Sequence, residues 1–210
     1  MDASMPKITP QRKELLEQAT RDSVLEAACD LLKEGGWRGF TMDKLAQRMG
    51  VSKGTIYNYF RDKREVMLFI NRRLTDHIAE NLEELIQEEP DSRRVLECMV
   101  RNALTGIRDF RFLHRAAEEM ARSFHAKDRE LLCEMGPSER IYGLVRSILE
   151  LGIARGVFKP GDPDMLVRIL SAMLCGLGDL DSAPEKYTLD TSDPTVLDAI
   201  VERVVAAFCL

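Results

Sequence analysis

Apolar residues recur along this chain with the spacing of an α-helix, and no alternating stretch typical of a β-strand exceeds about five residues. In residues 21–33 the apolar side chains fall at i, i+3, i+4, i+7 and i+8, which predicts an amphipathic first helix. Gly35 and Gly36 follow and can supply a left-handed end to that helix. The chain as a whole is therefore predicted to be all-α.

Two shorter helices are predicted next along the chain. Thr41 can cap the first of them, which ends at Gly50, and Ser52 can cap the second almost at once. Glycine at the turn allows a positive φ, and Val51 is expected to fill the small core between the two helices. Residues 41–60 thus have the pattern of a helix-turn-helix.

A much longer helical pattern begins at Asp62, where apolar residues recur every four positions until Pro90. It predicts a helix that leads from the N-terminal helices into the rest of the chain. Further helices are predicted at about residues 92–108, 111–124, 127–135, 138–155, 163–179 and 194–209. The predicted organisation is a flexible extension at residues 1–19, a helix-turn-helix domain at residues 20–67 and a helical C-terminal domain at residues 68–210.

The outward side of the third helix is predicted to be rich in hydrogen-bond donors. Ile56 and Phe60 lie four residues apart and are expected to face inward with Val51. A helix presented in this way fits the major groove of B-DNA, where such donors reach base edges and phosphates. Lys63, in the first turn of the next helix, is a further candidate for phosphate contact. The candidate groove-facing residues are Lys53, Gly54, Thr55, Tyr57, Asn58 and Tyr59.

Charge is distributed unevenly along the chain. Residues 1–75 hold 14 Lys and Arg against 10 Asp and Glu, whereas the remainder holds 16 against 25, within a net charge of −5. Seven basic and two acidic residues lie between Arg38 and Arg64. A basic N-terminal part on an acidic chain still presents a local positive field, so the acidic total does not exclude binding to nucleic acid.

Composition is that of a globular protein, with 45% apolar and 31% charged residues. The apolar runs are too short to cross a bilayer, and the first residues lack the apolar core of a secretion signal. The five cysteines are more than thirty residues apart and form no C-x-x-C pair, so they suggest neither a disulfide framework nor a zinc finger. We expect a cytoplasmic protein that has no membrane association and binds no metal or cofactor.

Residues 22–67, DSVLEAACDLLKEGGWRGFTMDKLAQRMGVSKGTIYNYFRDKREVM, resemble the N-terminal domain of the TetR (tetracycline-repressor) family almost position by position. The shared elements are GFT, the L-A-x-x-x-G-V-S turn, and T-I-Y-x-Y-F followed by D-K. The resemblance implies a homodimeric transcriptional repressor on a palindromic operator of double-stranded DNA. The resemblance also implies that Thr41 and Lys63 contact the DNA backbone and that the groove-facing residues contact the major groove. Many members carry histidine where this chain has Tyr59.

The resemblance also implies dimerisation through the last two long helices, whose apolar stripes are wider than the packing of a small three-helix unit needs. The alternative is that both helices simply cover the core of one chain. The residues expected at the dimer interface are Leu166, Leu170, Met173, Leu174, Leu177, Leu197, Ile200, Val201, Val204, Val205 and Phe208.

A small apolar or amphipathic effector is expected to bind the C-terminal domain and release the protein from DNA. Aromatic residues, methionines and a few polar groups gather between Arg101 and Arg155, as the lining of such a pocket requires. Residues with this spacing are more often part of a core, but His114 and Tyr142 each carry a hydrogen-bonding tip. The candidate lining residues are Phe110, Phe112, His114, Met120, Phe124 and Tyr142.

Alternatives to a repressor come from other functional classes. The sequence has no glycine-rich phosphate loop, nucleophile elbow or set of metal ligands, so we expect no enzymatic activity. An activator of the same fold remains open, as does a helical protein-interaction module that does not bind DNA. Such a module would not need the donor-rich surface at residues 53–59.

Overall fold

The computed structural model describes residues 10–122, 138–180 and 188–210. In these ranges the chain forms α-helices and no β-strand, which confirms the all-α prediction. The predicted helix at residues 127–135 lies outside the described residues. The described helices are α1 (Pro10–Gly39), α2 (Met42–Arg48), α3 (Lys53–Tyr57), α4 (Lys63–Glu88), α5 (Ser92–Asp109), α6 (Arg111–Arg122), α7 (Glu139–Ala154), α8 (Pro163–Leu180) and α9 (Pro194–Phe208).

Helix α1 is longer at both ends than the hydrophobic pattern predicts. It begins at Pro10, within the predicted extension, because a proline can occupy the first turn without losing a hydrogen bond. The glycine pair interrupts this helix, as predicted, because Gly36 has a left-handed φ of 58° and a non-helical backbone conformation. A short helical segment follows the break and ends at Gly39.

The N-terminal compact unit contains the described residues up to Ile70 and residues 115–122, the second half of α6. Its core is formed where α1, α2, α3 and the start of α4 meet. The assignment of every residue from 68 onward to the second domain therefore misses this half of α6. The side chains in this core that are entirely inaccessible to solvent are Val24, Ala28, Leu45, Ile56, Val66 and Met120.

The C-terminal unit is built around α5, which packs against α7, α8 and α9. In the segment that connects α7 to α8, Phe158 forms an isolated antiparallel bridge with Cys209. Gly152 of α7 lies against the Phe158 ring, so closely that a Cβ at this position would overlap it. Aspartates cap the last two helices: Asp162 accepts from the Asp164 N–H at 3.1 Å, and Asp193 accepts from the Thr195 N–H at 2.8 Å.

Among the described helices, none is both long enough and apolar enough to span a membrane.

Candidate nucleic-acid interface

Two capped helices and a glycine turn form the helix-turn-helix. The Thr41 hydroxyl accepts from the Lys44 N–H at 3.2 Å and begins α2, and the Ser52 hydroxyl accepts from the Thr55 N–H at 3.1 Å and begins α3. Gly50 lies between them with a φ of 66°, a region that favours glycine. Both predicted caps and the predicted turn are therefore confirmed.

The inward face of α3 is also as predicted. Ile56 is fully buried and Phe60 nearly so, and the Phe60 ring packs against Phe69 of α4 at 5.3 Å between centroids. Val51 is half-buried at the turn. These contacts fix which side of α3 is turned away from the protein.

That outward side carries most of the predicted groove-facing residues. Tyr57 is 46% exposed and Tyr59 36% exposed, and Asn58 and Gly54 are exposed between and beside them. Thr55 differs, because it is half-buried and its hydroxyl lies 2.8 Å from that of Ser52. The Thr55 hydroxyl therefore belongs to the helix cap in this structure.

Lys53 is held in place by a neighbour that its sequence pattern does not predict. Its ammonium forms an ion pair with Asp43 of α2 at 2.6 Å and lies 5.9 Å from the centroid of the Tyr57 ring. The hydrogen bond to Asp43, together with the negative charge of that residue, raises the pKa of Lys53, so its ammonium stays charged. The sequence signal for this contact is weak, because Asp43 is one of two acidic residues in a mostly basic stretch.

Lys63 is turned toward the protein. Its ammonium donates to the Trp37 carbonyl at 3.0 Å and approaches the Phe40 carbonyl at 3.5 Å. It also lies 4.0 Å from the centroid of the Trp37 ring, close enough for a cation–π contact. The structure thus gives Lys63 protein partners, although the sequence predicts a contact with DNA phosphate.

The positive field around the motif is weaker than the count of basic residues suggests. Arg48 pairs with Glu34 at 2.5 Å and approaches Asp30 at 3.8 Å, and Arg61 pairs with Glu65 at 3.4 Å. The hydrogen bond from Arg48 lowers the pKa of Glu34, which keeps that partner negative. Two of the basic residues are thus offset by carboxylates that lie outside the stretch from Arg38 to Arg64.

The predicted effector residues are dispersed in the structure. Phe110 is 40% exposed and its ring lies 6.3 Å from that of Phe112, and His114 is exposed. Met120 is fully buried in the core of the N-terminal unit. Phe124 lies outside the described residues.

Tyr142 is committed to a structural hydrogen bond. Its hydroxyl donates to the Asp164 carboxylate at 3.1 Å and so joins α7 to α8. A separate cleft of about 130 Å³ in the C-terminal unit lies beside Arg155, and no predicted effector residue lines it.

Most of the residues predicted at the dimer interface pack in the core of a single chain, and the interface itself stays a prediction. The reason is that the wide apolar stripes of α8 and α9 pack on α5 and α7. Leu166, Met173, Leu174 and Leu177 are half-buried against the same core. The predicted residues that are buried within one chain are Leu170, Leu197, Ile200, Val201, Val204, Val205 and Phe208.

A different side of α8 is apolar and exposed. Met165 is 59% exposed and Ile169 44% exposed, and Ala172 and Gly176 continue the same face at helical spacing. We call these four residues the α8 surface stripe. Exposed large apolar side chains grouped in this way are typical of an interaction surface.

Comparison with known proteins agrees with this architecture. Residues 24–69 match the family model described as bacterial regulatory proteins, tetR family. The chain is 28% identical to the uncharacterized HTH-type transcriptional regulator YhgD of Bacillus subtilis, over 73% of this chain and 80% of that one. It is 23% identical to the fatty acid metabolism regulator protein of the same organism, over 86% and 93% of the two chains.

Solved structures share the fold over nearly the whole chain. The transcriptional regulator FadR from Bacillus subtilis, in complex with stearoyl-CoA, superposes with a TM-score of 0.70 at 19% identity. The match covers 88% of this chain and 95% of that one.

Proposed function

We propose that this chain, a transcriptional regulator of the tetR family of bacterial regulatory proteins, is a repressor that a small amphipathic molecule releases from its operator. The observation that carries the proposal is the outward face of α3 and its C-cap, where tyrosine and asparagine side chains are exposed opposite the buried Ile56. This is the surface that a helix-turn-helix presents to the major groove.

The proposed contacts follow from exposure. Tyr57, Asn58 and Tyr59 offer donors to base edges and phosphates, and Lys53 offers a charge whose direction is restrained by Asp43. Gly54 lets the backbone of α3 approach the sugar-phosphate chain. Thr41 and Thr55 would contribute through their positions at the two helix starts, with their hydroxyls shared between cap and DNA.

The proposed assembly is a homodimer that covers the α8 surface stripe. Burying the large side chains of Met165 and Ile169 against a second copy removes apolar surface from water, and small residues at Ala172 and Gly176 permit close helix approach. Two recognition helices in a symmetric dimer would then enter successive major grooves about 34–36 Å apart. The expected operator is therefore an inverted repeat.

The proposed effector carries a long acyl chain. Similarity to a fatty-acid regulator of Bacillus subtilis supports this class: the sequence match is named fatty acid metabolism regulator protein, and the structural match, FadR of the same organism, was solved in complex with stearoyl-CoA. An effector can bind better to a dimer whose two helix-turn-helix domains have a different spacing from that of the DNA-bound dimer. It then lowers operator affinity by the difference between its affinities for these two states. Because the proposed partner is operator DNA, we place the protein in the cytoplasm.

Selection from random duplexes tests the proposal without knowledge of the operator. Duplexes that bind the protein at low salt are enriched and sequenced, and we expect an inverted repeat whose half-sites lie one helical turn, or a multiple of it, apart. Stearoyl-CoA should then release the enriched duplex, whereas coenzyme A alone should not. Failure to enrich any duplex would contradict DNA binding, and equal effects of the two compounds would contradict the acyl-chain effector.

A further inference from the structure

The end of α1 is held beside the start of the helix-turn-helix by lysines from two other helices. Lys44 of α2 donates to the Gly39 carbonyl at 2.8 Å, and Lys63 of α4 donates to the Trp37 carbonyl at 3.0 Å. Trp37 and Phe40 are buried, and their rings stack with centroids 6.5 Å apart. These contacts fix the position of this short segment within the N-terminal unit.

Arg38 is the charged residue of this segment, and it is exposed although Trp37 and Phe40 on either side of it are buried. Among the residues that the structure describes, no carboxylate or carbonyl contacts its guanidinium. Five other basic residues near the motif each have a protein partner, and these are Lys44, Arg48, Lys53, Arg61 and Lys63. Arg38 therefore carries a positive charge that no described neighbour offsets.

Arg38 lies between two residues that the resemblance to the tetR family places on the DNA backbone. Thr41, the cap of α2, follows it by three residues, a distance that extended chain covers in at most about 10 Å. The Lys63 ammonium approaches the carbonyls of Trp37 and Phe40, one before and one after Arg38 in sequence. An ammonium has three N–H donors, so it can bind these carbonyls and a phosphate together. A DNA backbone held at these two points would pass close to Arg38.

We propose that Arg38 contacts a DNA phosphate and adds affinity that does not depend on base sequence. This inference rests on the proposed function, because it adds a residue to the same DNA-binding surface. The planar guanidinium can donate two parallel hydrogen bonds to phosphate oxygens. Lys53 has to share its charge with Asp43, whereas Arg38 has no ion pair to give up within the described part of the chain.

The dependence of affinity on salt measures this contact. A cation that neutralises one phosphate contributes about 0.9 to the slope of log K against log salt concentration. For Arg38→Gln we expect a slope shallower by about 0.9 and, at a salt concentration of about 0.1 M, roughly eightfold weaker binding. The loss should be the same for the selected duplex and for random duplex, because a phosphate carries no sequence information.

Two further variants control for charge and for position. Arg94→Gln is the matched control, because the Arg94 side chain is 69% exposed on α5 in the C-terminal unit. It should bind both duplexes as the wild type does, with the wild-type slope. Arg38→Lys keeps the charge, so it should keep the wild-type slope and most of the affinity. The melting temperature of Arg38→Gln should equal that of the wild type, because the side chain has no described protein partner.

The outcomes that overturn the proposal differ from those that overturn the proposed function. A wild-type salt slope in Arg38→Gln would overturn the phosphate contact. A loss confined to the selected duplex would also overturn it, since that result indicates contact with a base. A lower melting temperature with an unchanged slope would show a structural role instead. In each of these cases the wild type still binds DNA, whereas a wild type that binds no duplex at all contradicts both the proposed function and this inference.

Discussion

At the scale of single residues, Gly54 is a position where the fold does not require glycine but close contact with DNA could. A Cβ at this position would meet only the Ser52 hydroxyl, at an ordinary contact distance of 3.7 Å, so the protein itself does not require glycine there. Its backbone also does not have a left-handed φ. Any requirement for glycine at this position therefore comes from a partner.

Gly54→Ala is expected to weaken DNA binding while stabilising the protein by up to about 1 kcal/mol, since alanine favours a helix more than glycine does. Thermal unfolding and duplex titration of the same preparation measure both effects. Wild-type affinity combined with a raised melting temperature would show that the α3 backbone does not approach the DNA.

Asp43 places a negative charge on a surface that we propose binds phosphates, where it orients Lys53. Asp43→Asn should therefore strengthen binding to random duplex, because it removes repulsion, and reduce the preference for the selected site, because Lys53 is no longer restrained. The ratio of the two affinities is the measurement. A ratio equal to that of the wild type would contradict the orienting role, and Glu26→Gln, an exposed position on α1, is the control.

At this scale, the interactions that could be predicted from the sequence are local ones. The hydroxyls of Thr41 and Ser52 cap helices that begin within three residues of them, so spacing alone predicts them. The partners of Lys63 lie 23 and 26 residues away in sequence. No spacing rule connects such positions, because the contact exists only once α1 and α4 have packed.

At the scale of the helices, the interior packing of the C-terminal unit depends on a glycine that no local pattern singles out. Gly152 is helical and buried, and alanine would ordinarily be the better helix former there. The Phe158 ring occupies the space that a Cβ would need. Glycine is therefore required at position 152 because the segment between α7 and α8 places the Phe158 ring against the helix.

Gly152→Ala is expected to destabilise the protein by about 1–3 kcal/mol, because the ring or the helix must shift. Gly143→Ala, on the same helix but exposed and with nothing within 4 Å of a Cβ, should be neutral or slightly stabilising. Denaturant unfolding of both variants makes the comparison. Equal stabilities would contradict the close packing of Phe158 on α7.

The bounds of most helices could be predicted because hydrophobic periodicity and capping residues are local features of the sequence. The end of α1 is an exception with a physical reason. The glycine pair near residue 36 does interrupt α1. The helical segment beyond it, where the Phe40 N–H donates to the Gly36 carbonyl at 3.1 Å, is too short for a periodic pattern to predict. Burial of Trp37 and Phe40 favours this segment.

At the scale of the whole molecule, the sequence could not distinguish an apolar stripe that covers a core from one that meets a second chain. Both have the same period, and the wide stripes of α8 and α9 turned out to cover the core of one chain. The α8 surface stripe is less apolar in sequence and becomes visible only through the exposure of Met165 and Ile169.

Ile169→Glu should convert the proposed dimer to a folded single chain of 23.9 kDa, because a charge on the stripe would be buried without a partner. Light scattering after size-exclusion chromatography measures the mass, and circular dichroism confirms the fold. Asn102→Glu, on an exposed position of α5, is the matched control. A dimer that survives Ile169→Glu would place the interface elsewhere.

The central claim, that the outward face of α3 reads DNA, is tested most directly by duplex titrations of Tyr57→Ala and Asn58→Ala beside the wild type. We expect each variant to bind the selected duplex about tenfold or more weakly, to bind random duplex nearly as well as the wild type, and to keep its melting temperature. Wild-type affinity of both variants for the selected duplex would contradict the account.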